Sequence, residues 1–247
     1  PHNETLKTAA SVSGTYDLST SGGTTAMRTA NCYVINAPGQ YSLPLVYGNA
    51  IKDGGTNASA YTSQSSGTYV LKTFVNHLDA AITDPYIYNN AGCTPLDAVL
   101  VWQDEENLVT NVRLSSDKHS LTFDVPQATI KQGNAIVAVR DTDSRIMWSW
   151  HIWCTDLPAD QVYMANKYGN SYTFMDRSLG ATSALDDTGS LGMSYQWGRK
   201  DPIPGSSKFY DMTEPTLYGS VTKVSVAASD ASTGTIANAI QNPVTFL

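Results

Sequence analysis

The alternation of apolar and polar positions is clearest at residues 134–156, where it predicts a β-hairpin. An apolar, β-branched run at residues 135–139 leads into the polar turn DTDS at residues 141–144, and an aromatic strand follows. Branched and ring-bearing side chains suit a pleated, half-buried strand. Side chains alternate across a strand, so we predict one face of the second strand to be core. That face carries Ile146, Trp148, Trp150, Ile152 and Cys154. The opposite, mixed face carries Met147, Ser149, His151 and Trp153.

Shorter strands precede this hairpin at regular spacing. Residues 98–102, 108–114 and 121–125 alternate and are separated by polar turns, and residues 32–35 and 41–47 predict a further hairpin around the turn at 36–39. Parallel strands would need long crossovers. We therefore predict a mainly β fold, with an antiparallel immunoglobulin-like β-sandwich over residues 30–156.

One short helix is predicted at residues 71–79, because four apolar side chains recur there at helical spacing. These are Leu71, Phe74, Val75 and Leu78. His77, near its end, is expected to face solvent or the helix C-terminus.

The two flanks have a looser pattern. Residues 1–29 are rich in small and polar amino acids, which bury too little apolar surface to form a packed core. We therefore predict a tether, which can add one strand at residues 16–18. Residues 157–247 are rich in turns, with one alternating run at 221–226 and a helix start at 235–240. We predict a loop-rich second domain that is incomplete.

Composition narrows the class of protein. The chain is 41% hydrophobic, which is enough to build cores. Only 15% of its residues are charged and the formal net charge is −7, so a phosphate backbone would repel it on average. We expect no nucleic-acid partner. We also expect no transmembrane segment, because no apolar run approaches the about 20 residues that a bilayer requires.

Candidate chemistry is sparse. The P-loop, dinucleotide-binding, nucleophile-elbow and zinc-protease motifs do not occur in the sequence. We therefore expect no enzymatic activity and no cofactor. Asp141 and Asp143 are weak calcium candidates, although aspartate also favours turns for local reasons. A glycoside hydrolase or carbohydrate esterase, the third-ranked function, would need paired carboxylates from Asp104, Asp141 or Asp176.

The three cysteines leave two alternatives open. Cys32, Cys93 and Cys154 are far apart in the sequence and odd in number. They are either buried small hydrophobic residues or include one disulfide whose pairing is unknown.

Aromatic residues provide the ligand-binding candidates. Sugars stack their apolar faces on rings while neighbouring Asn and Asp bind the hydroxyls, but large aromatics also dominate cores. The candidates are Trp153, Tyr195, Trp197, Tyr86 and Tyr88. We expect Trp153 to lie beneath the second domain rather than to face a ligand.

Two groups of sequence strings resemble known families. TANCYVINAPG (29–39), LPLVYGNAI (43–51), GNAIVAV (133–139) and IMWSWHIW (146–153) resemble fimbrillin-like surface proteins of Bacteroides-type bacteria. FMDRSLGA (174–181) and YQWGRKDP (195–202) are similar to the opening of the Fibrobacter succinogenes major paralogous domain.

This resemblance implies a protein at the cell surface (outer membrane) or outside the cell, of the pilus or adhesin type. Its partners would be other pilus or surface subunits, or a host or glycan surface, with lipid anchoring on a segment before residue 1. It implies no cofactor and no catalytic residues. We expect a non-catalytic structural or adhesive protein acting through sheet edges and exposed aromatics. The alternative is a glycan-binding module of a surface protein.

Overall fold

The computed structural model describes residues 2–62, 66–68, 74–185, 187–204 and 215–247, and the protein is mainly β. Two α-helices are present, α1 (His2–Thr8) and α2 (Ile236–Gln241), with short 3-10 turns at Ala58–Ala60, Ile87–Asn89 and Thr188–Leu191. The strands up to residue 156 are β1 (Thr15–Asp17), β2 (Cys32–Ile35), β3 (Gly39–Pro44), β4 (Ile51–Lys52), β5 (Gly55–Thr56), β6 (Pro95–Gln103), β7 (Thr110–Leu114), β8 (Ser120–Val125), β9 (Gly133–Asp141) and β10 (Ile146–Cys154). The later strands are β11 (Asp160–Tyr163), β12 (Tyr172–Met175), β13 (Ser194–Tyr195), β14 (Pro202–Ile203), β15 (Ser225–Val226) and β16 (Thr245–Phe246).

Two four-stranded sheets form the body of the protein. Their strand orders are β1-β3-β8-β7 and β2-β10-β9-β6. Buried side chains from both sheets belong to one hydrophobic cluster, in which Leu43 and Phe123 of the first sheet share the interior with Val137 and Trp150 of the second. Burying this apolar surface between two layers is the main favourable term for the fold.

The predicted hairpin at residues 134–156 is confirmed as β9 and β10, which pair antiparallel. The predicted face assignment is correct for Trp150, Ile152 and Cys154, which all lie in the main core. It is wrong at the start of β10, because the register shifts between Ile146 and Trp148. Such a bulge exchanges the faces of the residues before it.

The consequences of the bulge are visible in the burial of two side chains. Met147 is buried in the main core, whereas Ile146 packs against a second cluster on the outer face of the sheet. Trp148 is half-buried and packs against the main core, as predicted.

Two predicted strand pairings differ from the structure. Residues 32–35 and 39–44 do not form a hairpin, because β2 and β3 belong to different sheets. In addition, β2 pairs parallel with β10 and β1 pairs parallel with β3, so the prediction of a purely antiparallel fold is wrong. The crossover argument applies to consecutive strands, whereas these partners are separated by other elements.

The predicted helix at 71–79 is also wrong where the structure describes it. Residues 71–73 lie outside the described residues, and 74–79 form an isolated bridge between Val75 and Ala81 and a turn closed by Asp79 N and Asn76 O. His77 is buried, with its Nε2 3.0 Å from Oδ2 of Asp141, rather than facing solvent.

Residues before 30 pack on the sheets rather than extending as a tether. Leu6 of α1 is buried in the main core, and Tyr16 of β1 lies opposite Tyr41 of β3. The added strand that the sequence allowed at residues 16–18 is therefore β1, at residues 15–17. A few apolar side chains, Leu6 together with the partly buried Val12, Tyr16, Leu18 and Met27, anchor a segment whose average composition predicted no packing.

The chain after residue 156 covers the outer face of the second sheet. Leu217 and Val244 share a buried cluster with Trp102, Ile136 and two neighbours. Backbone hydrogen bonds between Gln103 and Tyr218 cover the edge of β6. The helix start predicted at 235–240 is confirmed, since Thr235 Oγ1 accepts from Asn238 N at 3.1 Å in front of α2. Of the run at 221–226, only the last two residues form a strand.

Within the residues that the structure describes, no helix is long and apolar enough to cross a bilayer.

Candidate functional site

The mixed face of β10 lies beneath the later part of the chain. Trp153 is 0% exposed, and its Nε1 donates to the Ala181 carbonyl at 3.0 Å. Its ring therefore offers no surface on which a ligand could stack, and it fixes residues 180–181 to the sheet instead. Ser149 and His151 on the same face are buried as well.

A buried polar network links β9 and β10 to residue 180. Asn134 Nδ2 donates to Asp104 Oδ2 at 2.9 Å and to the Gly180 carbonyl at 3.0 Å. The amide oxygen of Asn134 is therefore the acceptor for His151 Nε2 at 2.9 Å, which identifies the Nε2-protonated tautomer of this histidine.

Burial sets the titration of the two ionisable groups in this network. It raises the pKa of Asp104 to about 6 and lowers the pKa of His151 to about 3, because the charged form of each is poorly solvated. At neutral pH the histidine is neutral, and it serves as a hydrogen-bond donor.

The segment at residues 195–202, called the junction below, connects β10 with α2. On one side Lys200 Nζ donates to Ser149 O at 2.9 Å, to Ser149 Oγ at 2.7 Å and to Asp201 Oδ1 at 2.6 Å. On the other, Arg199 donates to carbonyls at the end of α2, including Ala239 O at 2.9 Å. The neighbouring residues Arg199 and Lys200 thus connect the C-terminal helix α2 with β10.

Trp197 lies at the tip of the turn at residues 196–199 and is 99% exposed. The turn is closed by the Arg199 N to Gln196 O hydrogen bond, with Gly198 at φ +78°, a conformation that favours glycine. Tyr195 is partly exposed. Of the predicted ligand-binding aromatics, Trp197 is the one that presents a whole ring to solvent.

Tyr86 and Tyr88 are half-buried and pack against the main core. Their rings lie 5.7 Å apart, and Tyr88 stacks on His119 at 4.0 Å. These contacts occupy much of both rings, so they are less available to a ligand than Trp197.

The hairpin formed by β11 and β12 has every residue exposed. Tyr163 pairs with Tyr172 and Gln161 with Phe174, which places three rings on one face. These rings are 49% to 62% exposed, and the Tyr163 and Phe174 centroids lie 5.5 Å apart. Among the residues described, no further strand pairs with either edge of this hairpin.

A cavity of about 290 Å³ lies between the half-buried Trp148, the junction and α2. The Tyr47 ring meets Trp148 edge to face at 5.1 Å, and Lys200 Nζ lies 4.4 Å from the Trp148 ring centroid. The sequence assigned Trp148 to the core. Its ring packs against that core and also lines this cavity.

The calcium candidates are engaged by protein groups. Asp141 accepts from Arg145 Nε at 2.8 Å and contacts His77, while Asp143 pairs with Arg145 at 2.7 Å. Burial alone would raise the pKa of Asp141, but hydrogen bonds from the backbone N–H and the guanidinium of Arg145 and from His77 outweigh it and hold that pKa below its usual range. No group of three or more His, Cys, Asp or Glu able to hold a metal ion occurs in the described part of the chain.

The three cysteines are free thiols. Cys93 and Cys154 are buried and Cys32 is half-buried. Burial raises the pKa of Cys32 to about 12, so its thiol stays protonated at neutral pH.

The carboxylates considered for glycoside hydrolysis have separate partners. Asp104 bonds to Asn134, Asp141 to Arg145 and Asp176 to Arg177 at 2.8 Å. Each is held in its own local network.

Comparison of the chain with family models, with curated proteins and with solved structures gave no match.

Proposed function

We propose that this chain is a non-catalytic, adhesive or structural protein of the bacterial cell surface, of the fimbrillin-like type suggested by its sequence strings. The observation that carries the proposal is the exposed aromatic hairpin of β11 and β12. The partner would be another surface subunit or a host surface.

The scaffold in this proposal is an immunoglobulin-like sandwich. Two four-stranded sheets around one core support it, although two of the strand pairs are parallel. A sandwich of this kind holds loops and hairpins on a rigid base, which suits a protein whose task is attachment.

The hairpin combines the two features expected of such a contact surface. Its edges can accept a strand, and its aromatic face can bury large area at low cost in side-chain entropy. An isolated two-stranded hairpin is marginally stable in water, so a partner that covered it would stabilise it.

The edges of the two large sheets are less suited to strand addition. β1 has three residues and β2 has four, and β6 is paired with residue 218. β7 carries a register shift between Thr110 and Arg113. Short and bulged edges resist pairing with another chain.

The test replaces the aromatic face. Tyr163→Ser, Tyr172→Ser and Phe174→Ser together should reduce attachment of the purified protein to cells or to its own kind by at least about tenfold, because the aromatic anchors of an interface carry most of its energy. Attachment is measured by surface plasmon resonance on immobilised protein and on captured cells.

The matched control is Leu185→Ser, Leu191→Ser and Val226→Ser, which removes three similarly exposed apolar side chains outside the hairpin. If both triple variants attach equally well, the hairpin is not the contact surface. Recovery of the native protein from the cytosol of its producing cells would contradict the surface location.

A second candidate, a glycan-binding module, is favoured by the fully exposed ring of Trp197 on its braced turn. A glycan array compares the wild type with Trp197→Ala. Loss of all hits in the variant would support this candidate, and unchanged hits would exclude Trp197 as the site.

A further inference from the structure

We propose that the cavity beside Trp148 binds one uncharged pyranose ring, such as the terminal sugar of a glycan. This site shares no residue with the β11–β12 hairpin or with the Trp197 side chain. The inference goes beyond the proposed attachment surface and does not depend on it.

The walls of the cavity are mainly apolar. Trp148 and Tyr47 form one aromatic wall, and Ile236, Ala239 and Ile240 of α2 contribute an aliphatic one. The Trp148 ring is held in place because its Nε1 donates to Asn31 Oδ1 at 3.2 Å. Lys200 Nζ lies over one face of this ring, so the C–H face of a sugar ring would contact the remaining apolar surface of Trp148 and Tyr47.

The charged groups at the cavity favour an uncharged ligand. The three N–H groups of Lys200 are all used, by Ser149 O, Ser149 Oγ and Asp201 Oδ1. One terminal nitrogen of the Arg199 guanidinium donates to the carbonyls of Ala239 and Asn242. A phosphate or carboxylate bound to these groups would have to displace existing hydrogen bonds, and a neutral ligand would not.

Three polar groups at the cavity have hydrogen-bonding capacity to spare. Within the described residues, Asn31 Nδ2, the Asn49 side-chain amide and Asp201 Oδ2 have no protein partner. Asp201 is 4% exposed, so its Oδ2, which has no partner among the described residues, lies at a nearly buried position.

A purely apolar ligand would bury these groups without partners, and a buried polar group that lacks a hydrogen bond weakens binding. A sugar ring offers both an apolar face and a hydroxyl edge. Its apolar face can contact the aromatic wall while its hydroxyls form hydrogen bonds with the two amides and the carboxylate.

The experiment titrates the full chain with the methyl glycosides of glucose, galactose, mannose, N-acetylglucosamine and fucose. Saturation-transfer NMR identifies the binder, and calorimetry measures its Kd. Ala239→Phe fills the cavity from α2 and should weaken binding by at least about tenfold, while Asn49→Ala should weaken it about fivefold through one lost hydrogen bond.

Leu191→Ser is the control and should leave the Kd within about twofold, because this exposed side chain does not line the cavity. Urea denaturation confirms that Ala239→Phe is folded. If it is not, Ala60→Leu fills the same cavity from another wall.

Two results would overturn the proposal. One is that no glycoside binds; binding of the uncharged dye N-phenyl-1-naphthylamine to the wild type and not to the filled variant would then make the cavity a site for an apolar group. The other is that glycoside binding survives filling of the cavity and disappears in Trp197→Ala. Neither result bears on the hairpin attachment test, whose variants lie elsewhere.

Discussion

Two hairpins of this protein carry aromatic residues in opposite environments. β9 and β10 are buried along almost their whole length, whereas every residue of β11 and β12 is exposed. The first hairpin has neighbouring strands on both sides and a packed layer on both faces. The second has neither among the described residues. An aromatic strand therefore stabilises the fold only where a second layer reaches it, and elsewhere its rings are free to contact a partner.

The distribution of exposed apolar side chains extends this contrast to the whole chain. Of the large hydrophobic residues that the structure shows as exposed, Leu96 alone precedes residue 157. The earlier part of the chain uses its apolar residues for the core. The later part uses some to cover the outer face of the second sheet and leaves many in contact with solvent.

The largest expected effect is at Trp150, in the buried hairpin. Trp150→Ala should lower the free energy of unfolding by about 3–5 kcal/mol, because it removes a large side chain from a packed core. Phe174→Ala in the exposed hairpin should change it by less than about 0.5 kcal/mol. Urea denaturation followed by circular dichroism measures both, and equal losses would remove the contrast.

A smaller effect is expected where the later chain meets the sheet. Trp153→Phe keeps an aromatic ring but removes the N–H that donates to Ala181, so the loss should be about 1–3 kcal/mol. Because this hydrogen bond fixes residues 180–181, proteolysis should also begin sooner after residue 156 than in the wild type. Unchanged cleavage would show that Trp153 does not hold this segment.

The Asp104 and His151 pair predicts opposing pH effects. The raised pKa of Asp104 contributes stability that is present below about pH 4 and lost as the pH rises through about 6. The lowered pKa of His151 contributes stability that is present above about pH 6.5 and lost as the pH falls towards about 3. Between about pH 4 and 6 the two contributions oppose each other, so the wild type should show a shallow dependence from this pair.

Single variants separate the two contributions. His151→Gln should become less stable as the pH rises from 4 to 6, and Asp104→Asn should become less stable as it falls from 6.5, each by on the order of 1–2 kcal/mol. The readout is the urea midpoint across this pH range. Slopes of the same sign in both variants would contradict the assignment.

The smallest effect is expected at Trp197. Since the ring is fully exposed, Trp197→Ala should leave the free energy of unfolding within about 0.5 kcal/mol of the wild type. A larger loss in urea denaturation would show that the ring has a structural contact.

Much of the local structure was predictable. The hairpin turn at 141–144 and the helix start at Thr235 follow from residue types whose side chains favour those backbone positions. The inward position of Trp150 followed from period-two alternation. By contrast, the helix predicted at 71–79 rested on apolar spacing alone, and the residues described there bind the body of the protein through buried His77 instead.

The candidate sites were less predictable. Trp197 was identified as a ligand-binding candidate because it is aromatic, but the cavity is formed by Trp148 together with α2, which is nearly ninety residues further along the chain. Asn31, Asn49 and Asp201 show nothing in the sequence that would group them.

Strand positions, turn positions and the mainly β class depend on backbone preferences of nearby residues, and so the amino-acid order alone was enough to establish them. Which strands pair, which of them run parallel and which aromatic faces are covered depend on contacts between segments far apart in the chain. Only the tertiary structure decided that the outer face of β10 is buried while the rings of β11 and β12 meet solvent, because burial requires a second surface that local sequence does not specify.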